Sequence, residues 1–312
     1  MISLNMNNFV IINLRIYVKI GEVNFMELIM LRTGDGLDLS IHYYQSSNPR
    51  GVINIIHGLK EHKERYTEFA EFLCSQGYHV IISDMRGHGA SINDDYPLGY
   101  IDSWQQLLDD QWAIHQMIQE KFNLPVIFFG HSFGSILARL YIRDHGSNID
   151  RLILSGTPHY TVLSNLLLSI KDVLNLSPHH SKFISEHFRV KNLSWTNIDP
   201  DVVEQFMTDP LSSFDYYDIS LLTILAADNE LSHFQKIDCQ NPHLPILLIS
   251  GEWDPITGGV FGLNRSIRML KASGYQQITS IVYPKLRHEL INSIGKEIVW
   301  QDIDCFLTQS LS

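Results

Sequence analysis

Covalent chemistry in this chain would be done at Gly130-His131-Ser132-Phe133-Gly134. Glycine and serine are common in turns, so the flanking residues decide what this pattern means. Pro125-Val126-Ile127-Phe128-Phe129 is a short continuous apolar run, as in a strand buried on both faces. Ile136, Leu137, Leu140 and Tyr141 follow at helical spacing. The pattern therefore sits on a strand-to-helix turn. Gly130 and Gly134 lack Cβ atoms, so the chain can bend sharply while strand and helix pack closely. Ser132 is expected in a strained conformation with its hydroxyl above the sheet edge. There the helix N-terminus aims unpaired N–H groups and its positive dipole end.

A serine hydroxyl is a poor nucleophile near neutral pH. It needs a general base within hydrogen-bond reach, and that base needs an orienting carboxylate. On a site of this kind the order is serine, acid, histidine, each on a loop after a strand. Asp254 follows Ile246–Ile249 in Gly251-Glu252-Trp253-Asp254-Pro255, and His288 follows Thr279–Tyr283 in Lys285-Leu286-Arg287-His288-Glu289. Rivals fail on placement. His243 precedes its strand, His159 and His233 lie in or beside a long insertion, and the loop after Leu152–Leu154 has no carboxylate. Glu252 is the nearest alternative to Asp254. Ser293-Ile294-Gly295-Lys296 matches S-x-x-K but lies past the last strand. Backbone donors for an oxyanion are expected from the N–H of Phe133, the residue after the serine. The second is expected from Leu59, in the loop after Val52–Ile56.

The elements that must position these groups alternate. Leu28–Leu31 and Leu37–Tyr43 flank Thr33-Gly34-Asp35-Gly36 as a hairpin. Val52–Ile56, Val80–Ile82, the run before Gly130, Leu152–Leu154, Ile246–Ile249 and Thr279–Tyr283 read as strands. Helices are expected from Tyr66 to Leu73, Trp104 to Ile118, Leu263 to Lys271 and Ile298 to Leu307. Such alternation predicts an α/β fold with a mostly parallel central sheet, helices on both faces, and sites at the carboxyl ends of the strands. The alternation breaks from residue 158 to 240, a helical insertion, so the core comprises residues 26–157 and 241–312. In the insertion Val162, Leu163, Leu166, Leu167, Ile170 and Leu174 form an apolar stripe. The stripe packs inside the insertion, or it faces an acyl pocket or a lipid surface in transient contact. Residues 1–25 alternate apolar and polar from Val10 to Ile20. They read as an added edge strand or as a leader ahead of Met26, with the leader preferred.

The net charge of −11 over 312 residues argues against phosphate-backbone binding, so no nucleic-acid partner is expected. No segment approaches the roughly eighteen apolar residues of a spanning helix, and residues 1–25 make a poor signal peptide. Cys74, Cys239 and Cys305 are far apart, as in reduced thiols, and a cytoplasmic location is expected. Histidines are plentiful, but none forms H-E-x-x-H, and the adjacent pair His179-His180 diverges on any helix or strand. No metal or organic cofactor is expected.

Further segments carry a family likeness. They are His57-Gly58-Leu59-Lys60-Glu61-His62 with Arg65-Tyr66, then Asp84-Met85-Arg86-Gly87-His88-Gly89. The serine pattern, Ser250-Gly251-Glu252-Trp253-Asp254 and Arg287-His288-Glu289 follow in order. Together they resemble α/β-hydrolases of the monoacylglycerol lipase and lysophospholipase group, which is grouped with the serine aminopeptidases. The resemblance runs over about residues 26–310. It implies a helical cap insertion, Ser132 as nucleophile, Asp254 as acid, His288 as base, and Leu59 and Phe133 as oxyanion donors. It also implies hydrolysis of a carboxylic ester, monoacylglycerol or lysophospholipid foremost. Thioester hydrolysis, acyl transfer, peptide cleavage and a non-catalytic binding role are the alternatives. Lys60 and Ser135 depart from the pattern where glycine is common.

Overall fold

The computed structural model describes residues 10–12, 17–20, 24–159, 181–182, 193–231, 233 and 239–309. Its strands are β1 (Val10–Ile12), β2 (Tyr17–Ile20), β3 (Asn24–Arg32), β4 (Asp38–Gln45) and β5 (Gly51–Ile56). They continue as β6 (Tyr78–Ser83), β7 (Val126–His131), β8 (Arg151–Ser155), β9 (Ile246–Gly251) and β10 (Ile278–Tyr283). The described helices are α1 (Thr67–Ser75), α2 (Trp104–Lys121), α3 (Phe133–His145), α4 (Pro200–Thr208), α5 (Asp218–Glu230), α6 (Gly259–Ala272) and α7 (Lys296–Thr308). All the strands lie in one sheet, ordered β3-β4-β6-β5-β7-β8-β9-β10 across its main body. From β6 through β10 every neighbouring pair is parallel. The carboxyl ends of six strands therefore crowd one edge.

Side chains alternate across the strands and sort the helices by face. Phe128, Leu152 and Leu248 pack with Leu107, Ile114, Leu137, Leu140 and Leu263, from α2, α3 and α6. Their neighbours Phe129, Ile153, Leu247 and Ile249 point the other way, onto Phe69 and Leu73 of α1 and Ile303 and Phe306 of α7. Both faces are covered. The continuous apolar runs in the sequence follow from that, since every position of β7 and β9, and all of β8 but Arg151, is buried.

Residues 10–12 and 17–20, where the sequence alternates, both pair antiparallel with β3: Val10 opposite Arg32 and Tyr17 opposite Glu27. They extend the sheet edge. Helix α6 starts earlier than its apolar spacing indicates. Gly258 and Gly259, at φ 73° and 60°, turn the chain into it, and Val260 and Phe261 in its first turn are exposed, so no inward stripe begins before Leu263. Of residues 158–240, the described part includes α4 and α5; the stripe from Val162 to Leu174 and the pair His179-His180 lie outside the described residues.

The sheet and α3 meet at bare backbone. A Cβ on Gly134 would lie 2.1 Å from the Ile56 carbonyl oxygen and 2.6 Å from that of His57, and neither backbone atom can withdraw alone. Gly134→Ala is expected to lower stability by about 3 kcal/mol, the upper end of the overpacking range. Urea denaturation of the two proteins measures this; a loss below about 1 kcal/mol would contradict it.

Candidate active site

The turn from β7 into α3 holds Ser132 at φ 51° and ψ −120°, an arrangement that L-residues other than glycine rarely adopt. Hydrogen bonds hold it there. The Ser132 N–H donates to the Ser155 carbonyl at the end of β8 (2.9 Å). The Ser132 carbonyl accepts from the Ser135 N–H (2.9 Å) and hydroxyl (2.6 Å). Ser135, which stands where glycine is common, thus anchors the turn. A Cβ on Gly130 would come within 2.6 Å of the Gly134 carbonyl oxygen, so the first glycine is equally constrained. Phe133 is the first residue of α3, and its N–H has no acceptor within the helix.

Asp254 and His288 meet. The histidine Nδ1 lies 2.9 Å from Asp254 Oδ2, and both side chains are almost wholly buried. The acid is fixed on its other side by Thr257, whose hydroxyl donates to Oδ2 at 2.6 Å, and by the N–H groups of Ile256 (2.8 Å) and Thr257 (3.3 Å) on Oδ1. Burial opposes its ionisation, but His288 and these donors outweigh burial and hold the carboxyl below its ordinary range. An ionised Asp254 can only accept, so His288 Nδ1 carries the proton and Nε2 is left as an acceptor. Burial also disfavours the His288 cation, yet the Asp254 bond and the charges of Asp254, Glu289 and Glu61 prevail and raise its pKa above 6.5. The imidazole lies on Gly156, where a Cβ would fall 2.9 Å from Nδ1. Its ring centroid is 4.8 Å from that of His131, the residue preceding Ser132, and 5.5 Å from that of Trp195.

The loop after β5 lies beside the serine: a Cβ on Gly58 would be 3.1 Å from Ser132 Cβ. Within it the Met85 N–H donates to His57 Nε2 (2.9 Å), which leaves the proton on Nδ1, and Nδ1 donates to the Gly58 carbonyl (2.8 Å). In a trans peptide the carbonyl and the following N–H point oppositely. Turning the Gly58 carbonyl toward His57 therefore turns the Leu59 N–H away from it. Glu61 Oε2 accepts from the Gly58 N–H (2.6 Å) and the Tyr66 hydroxyl (2.7 Å). Lys60, the other departure from the glycine pattern, directs its ammonium to the Phe214 carbonyl.

Buried ion pairs tie the neighbouring loops together. Lys63 Nζ lies 2.6 Å from Asp84 Oδ2, joining the exits of β5 and β6. Arg65 is 2.6 Å from Glu289 and 3.5 Å from Glu61, spanning from the β5 exit to the residue after His288. Residues of the 158–240 stretch close the other side. The Glu289 N–H donates to the Thr196 carbonyl (2.8 Å), and Arg287 Nη1 donates to the Asn197 carbonyl (3.0 Å).

The competing groups are occupied elsewhere. Glu252 is exposed, and its Oε2 accepts from the Lys285 N–H (3.0 Å). His243 is exposed before β9, His159 Nδ1 is 3.2 Å from the Ile256 carbonyl, and His233 neighbours Glu230. The Ser293 hydroxyl donates to Asn197 (3.1 Å) while Lys296 pairs with Glu68. Among the described residues no group of three or more His, Cys, Asp or Glu side chains is arranged to hold a metal ion, and no helix is long and apolar enough to cross a membrane. Sequence reasoning passed over Thr257, although Asp-x-x-Thr is the spacing at which a hydroxyl can reach back to a carboxylate. Tyr216 and Trp195 carried no such local signal.

The chain is 25% identical over 285 residues to phospholipase YtpA of Bacillus subtilis, covering 85% of this chain and 98% of that protein. It is 24% identical over 272 residues to a monoacylglycerol lipase of Mycolicibacterium smegmatis, covering 85% and 90% respectively. A thermostable carboxyl esterase from Bacillus coagulans, solved with glycerol, superposes with a TM-score of 0.81 at 24% identity over 92% of this chain and 99% of that one. A soluble variant of the Saccharomyces cerevisiae monoglyceride lipase, solved with a substrate analogue, gives 0.72 at 17% identity, covering 93% and 97%. The fold is that of the α/β-hydrolases. The profile of the serine aminopeptidase S33 family matches residues 47–294, and the chain belongs to that family.

Proposed function

We propose that this protein is a carboxylic ester hydrolase that cleaves single-chain lipid esters, monoacylglycerol or lysophospholipid, through an acyl-enzyme on Ser132. The observation that carries the reading is the buried Asp254–His288 pair, its imidazole centroid 4.8 Å from that of His131, the residue before the strained serine. Ser132 Oγ attacks the acyl carbon as His288 Nε2 takes the hydroxyl proton. The Nδ1 proton stays on His288, and Asp254 stabilises the imidazolium. The carbonyl oxygen becomes an oxyanion held by the N–H groups of Leu59 and Phe133. His288 then protonates the departing alcohol, deprotonates a water that attacks the serine ester, and the acid leaves. The names of the relatives support the lipid substrate. The insertion acts as a cap, a role supported among its described residues by Trp195, whose ring centroid lies 5.5 Å from that of His288.

Ser132→Ala is expected to abolish fluorophosphonate labelling and to lower ester turnover by at least about 10³-fold. Wild type and variant are compared on monoacylglycerol, lysophospholipid, acyl thioester and peptide arylamide. Labelling retained in the variant removes Ser132 from the mechanism, and preferred cleavage of thioester or arylamide removes the lipid-ester assignment.

The base must be neutral to act, so activity is lost as pH falls through the pKa of His288. The acidic limb of kcat/KM should have its midpoint above 6.5, because Asp254 favours the imidazolium. Asp254→Asn should move that limb to lower pH and reduce kcat by about 10³- to 10⁴-fold. A pH–rate profile with an unmoved limb would assign the limb to another group.

A further inference from the structure

Tyr216 is buried in the stretch just before α5, far in sequence from every residue so far given a chemical role. Its hydroxyl makes two contacts. The backbone N–H of Lys60 donates to it at 2.9 Å, and it lies 2.7 Å from His88 Nε2. The direction of the second bond is fixed by the far side of the imidazole. His88 Nδ1 is 3.1 Å from the Arg86 carbonyl, which can only accept, so Nδ1 holds the ring's proton. Burial, with His57 adjacent, pushes the His88 pKa down to about 3, so the ring carries one proton and Nε2 is an acceptor. The Tyr216 hydroxyl hydrogen is thereby committed to His88, and its oxygen is turned to receive the Lys60 N–H.

Lys60 immediately follows Leu59 and sits at φ 57°, a left-handed conformation that a lysine does not choose unaided. One strap holds it there, with the tyrosine oxygen on its N–H, the Phe214 carbonyl on its ammonium and the Asp215 carboxylate 4.0 Å from that ammonium. The strap is itself seated. The Tyr217 N–H donates to the Gly99 carbonyl (3.2 Å), the Ser220 hydroxyl donates to the same oxygen (2.9 Å), and a Cβ on Gly99 would lie 2.8 Å from the Asp215 carbonyl. The Leu59 N–H is therefore bracketed. The peptide before it is oriented from the core by His57, and the peptide after it is oriented from the strap by Tyr216.

We infer that Tyr216 is a positioning residue for the oxyanion site: through Lys60 and His88 its hydroxyl sets the direction of the Leu59 N–H. The inference rests on the ester-hydrolase mechanism proposed above and deepens it. A group that acts on the oxyanion alone affects the transition state and tetrahedral mimics of it, and leaves ground-state binding in place.

Tyr216→Phe removes one oxygen and keeps the ring. It is expected to lower kcat by about 10- to 100-fold with KM within about twofold. Affinity for an alkyl trifluoromethyl ketone, whose adduct with the serine carries the oxyanion, should fall by the same factor. Unchanged kcat and unchanged ketone affinity would overturn the inference; so would equal losses in kcat and in binding of a long-chain alcohol, which would mark a merely structural tyrosine. Should the variant not fold, nitrogen-15 spectra of the wild-type imidazoles decide the point. His88 protonated on Nδ1 is required, and His88 protonated on Nε2 would refute the bond direction. Ester turnover surviving in Ser132→Ala would defeat the underlying mechanism instead, whatever Tyr216→Phe does.

Discussion

The rest of the site depends on a contact of backbone on backbone, where α3 leaves β7 against the end of β5. Gly134 meets the Ile56 and His57 carbonyls with no room for a Cβ. That contact brings the β5 exit loop to the serine, and it lets the helix point its first N–H groups at the same place. The Ser132 conformation costs on the order of 1–3 kcal/mol, and it survives because the surrounding hydrogen bonds over-determine it. Relaxing the approach by even one atom would separate the serine from the donors meant to act with it.

Six parallel strands deliver their loops to one edge, but parallel strands do not by themselves set the distances between loops. Here those distances are fixed by buried charge. Lys63 with Asp84, and Arg65 between Glu61 and Glu289, bind the exits of β5, β6 and β10 together. Buried pairs of this kind add little net stability, since desolvation offsets most of their attraction, yet breaking one leaves an uncompensated charge. Their contribution is geometric. The 158–240 stretch adds two more braces, with Thr196 and Asn197 on the histidine loop and Phe214–Tyr216 on the Leu59 loop.

Much of this was legible in the sequence, for a physical reason. Strands buried on both faces cannot alternate, so their apolar runs stand out, and the loop after each run is where a site must lie. That rule brought Asp254 and His288 forward over Glu252 and His243, and the structure puts the first two in contact. What the sequence hid is long-range. No local pattern says that Tyr216 will reach His88 or that Arg65 will reach Glu289, because each contact depends on how distant loops fold over one another. The departure at Lys60 was visible, but its partner was not: the structure turns its ammonium onto the Phe214 carbonyl. Residues 10–20 showed their alternation plainly, but whether a partner strand lay beside them depended on β3.

The order of the parts along the chain has a consequence for synthesis. Ser132 and the elbow that strains it leave the ribosome well before Asp254 and His288, with the whole 158–240 stretch between. At ordinary elongation rates the interval is on the order of ten seconds. On the mechanism proposed above, the serine has neither its base nor its acid during that interval, and the site is complete only once β10 docks against β9.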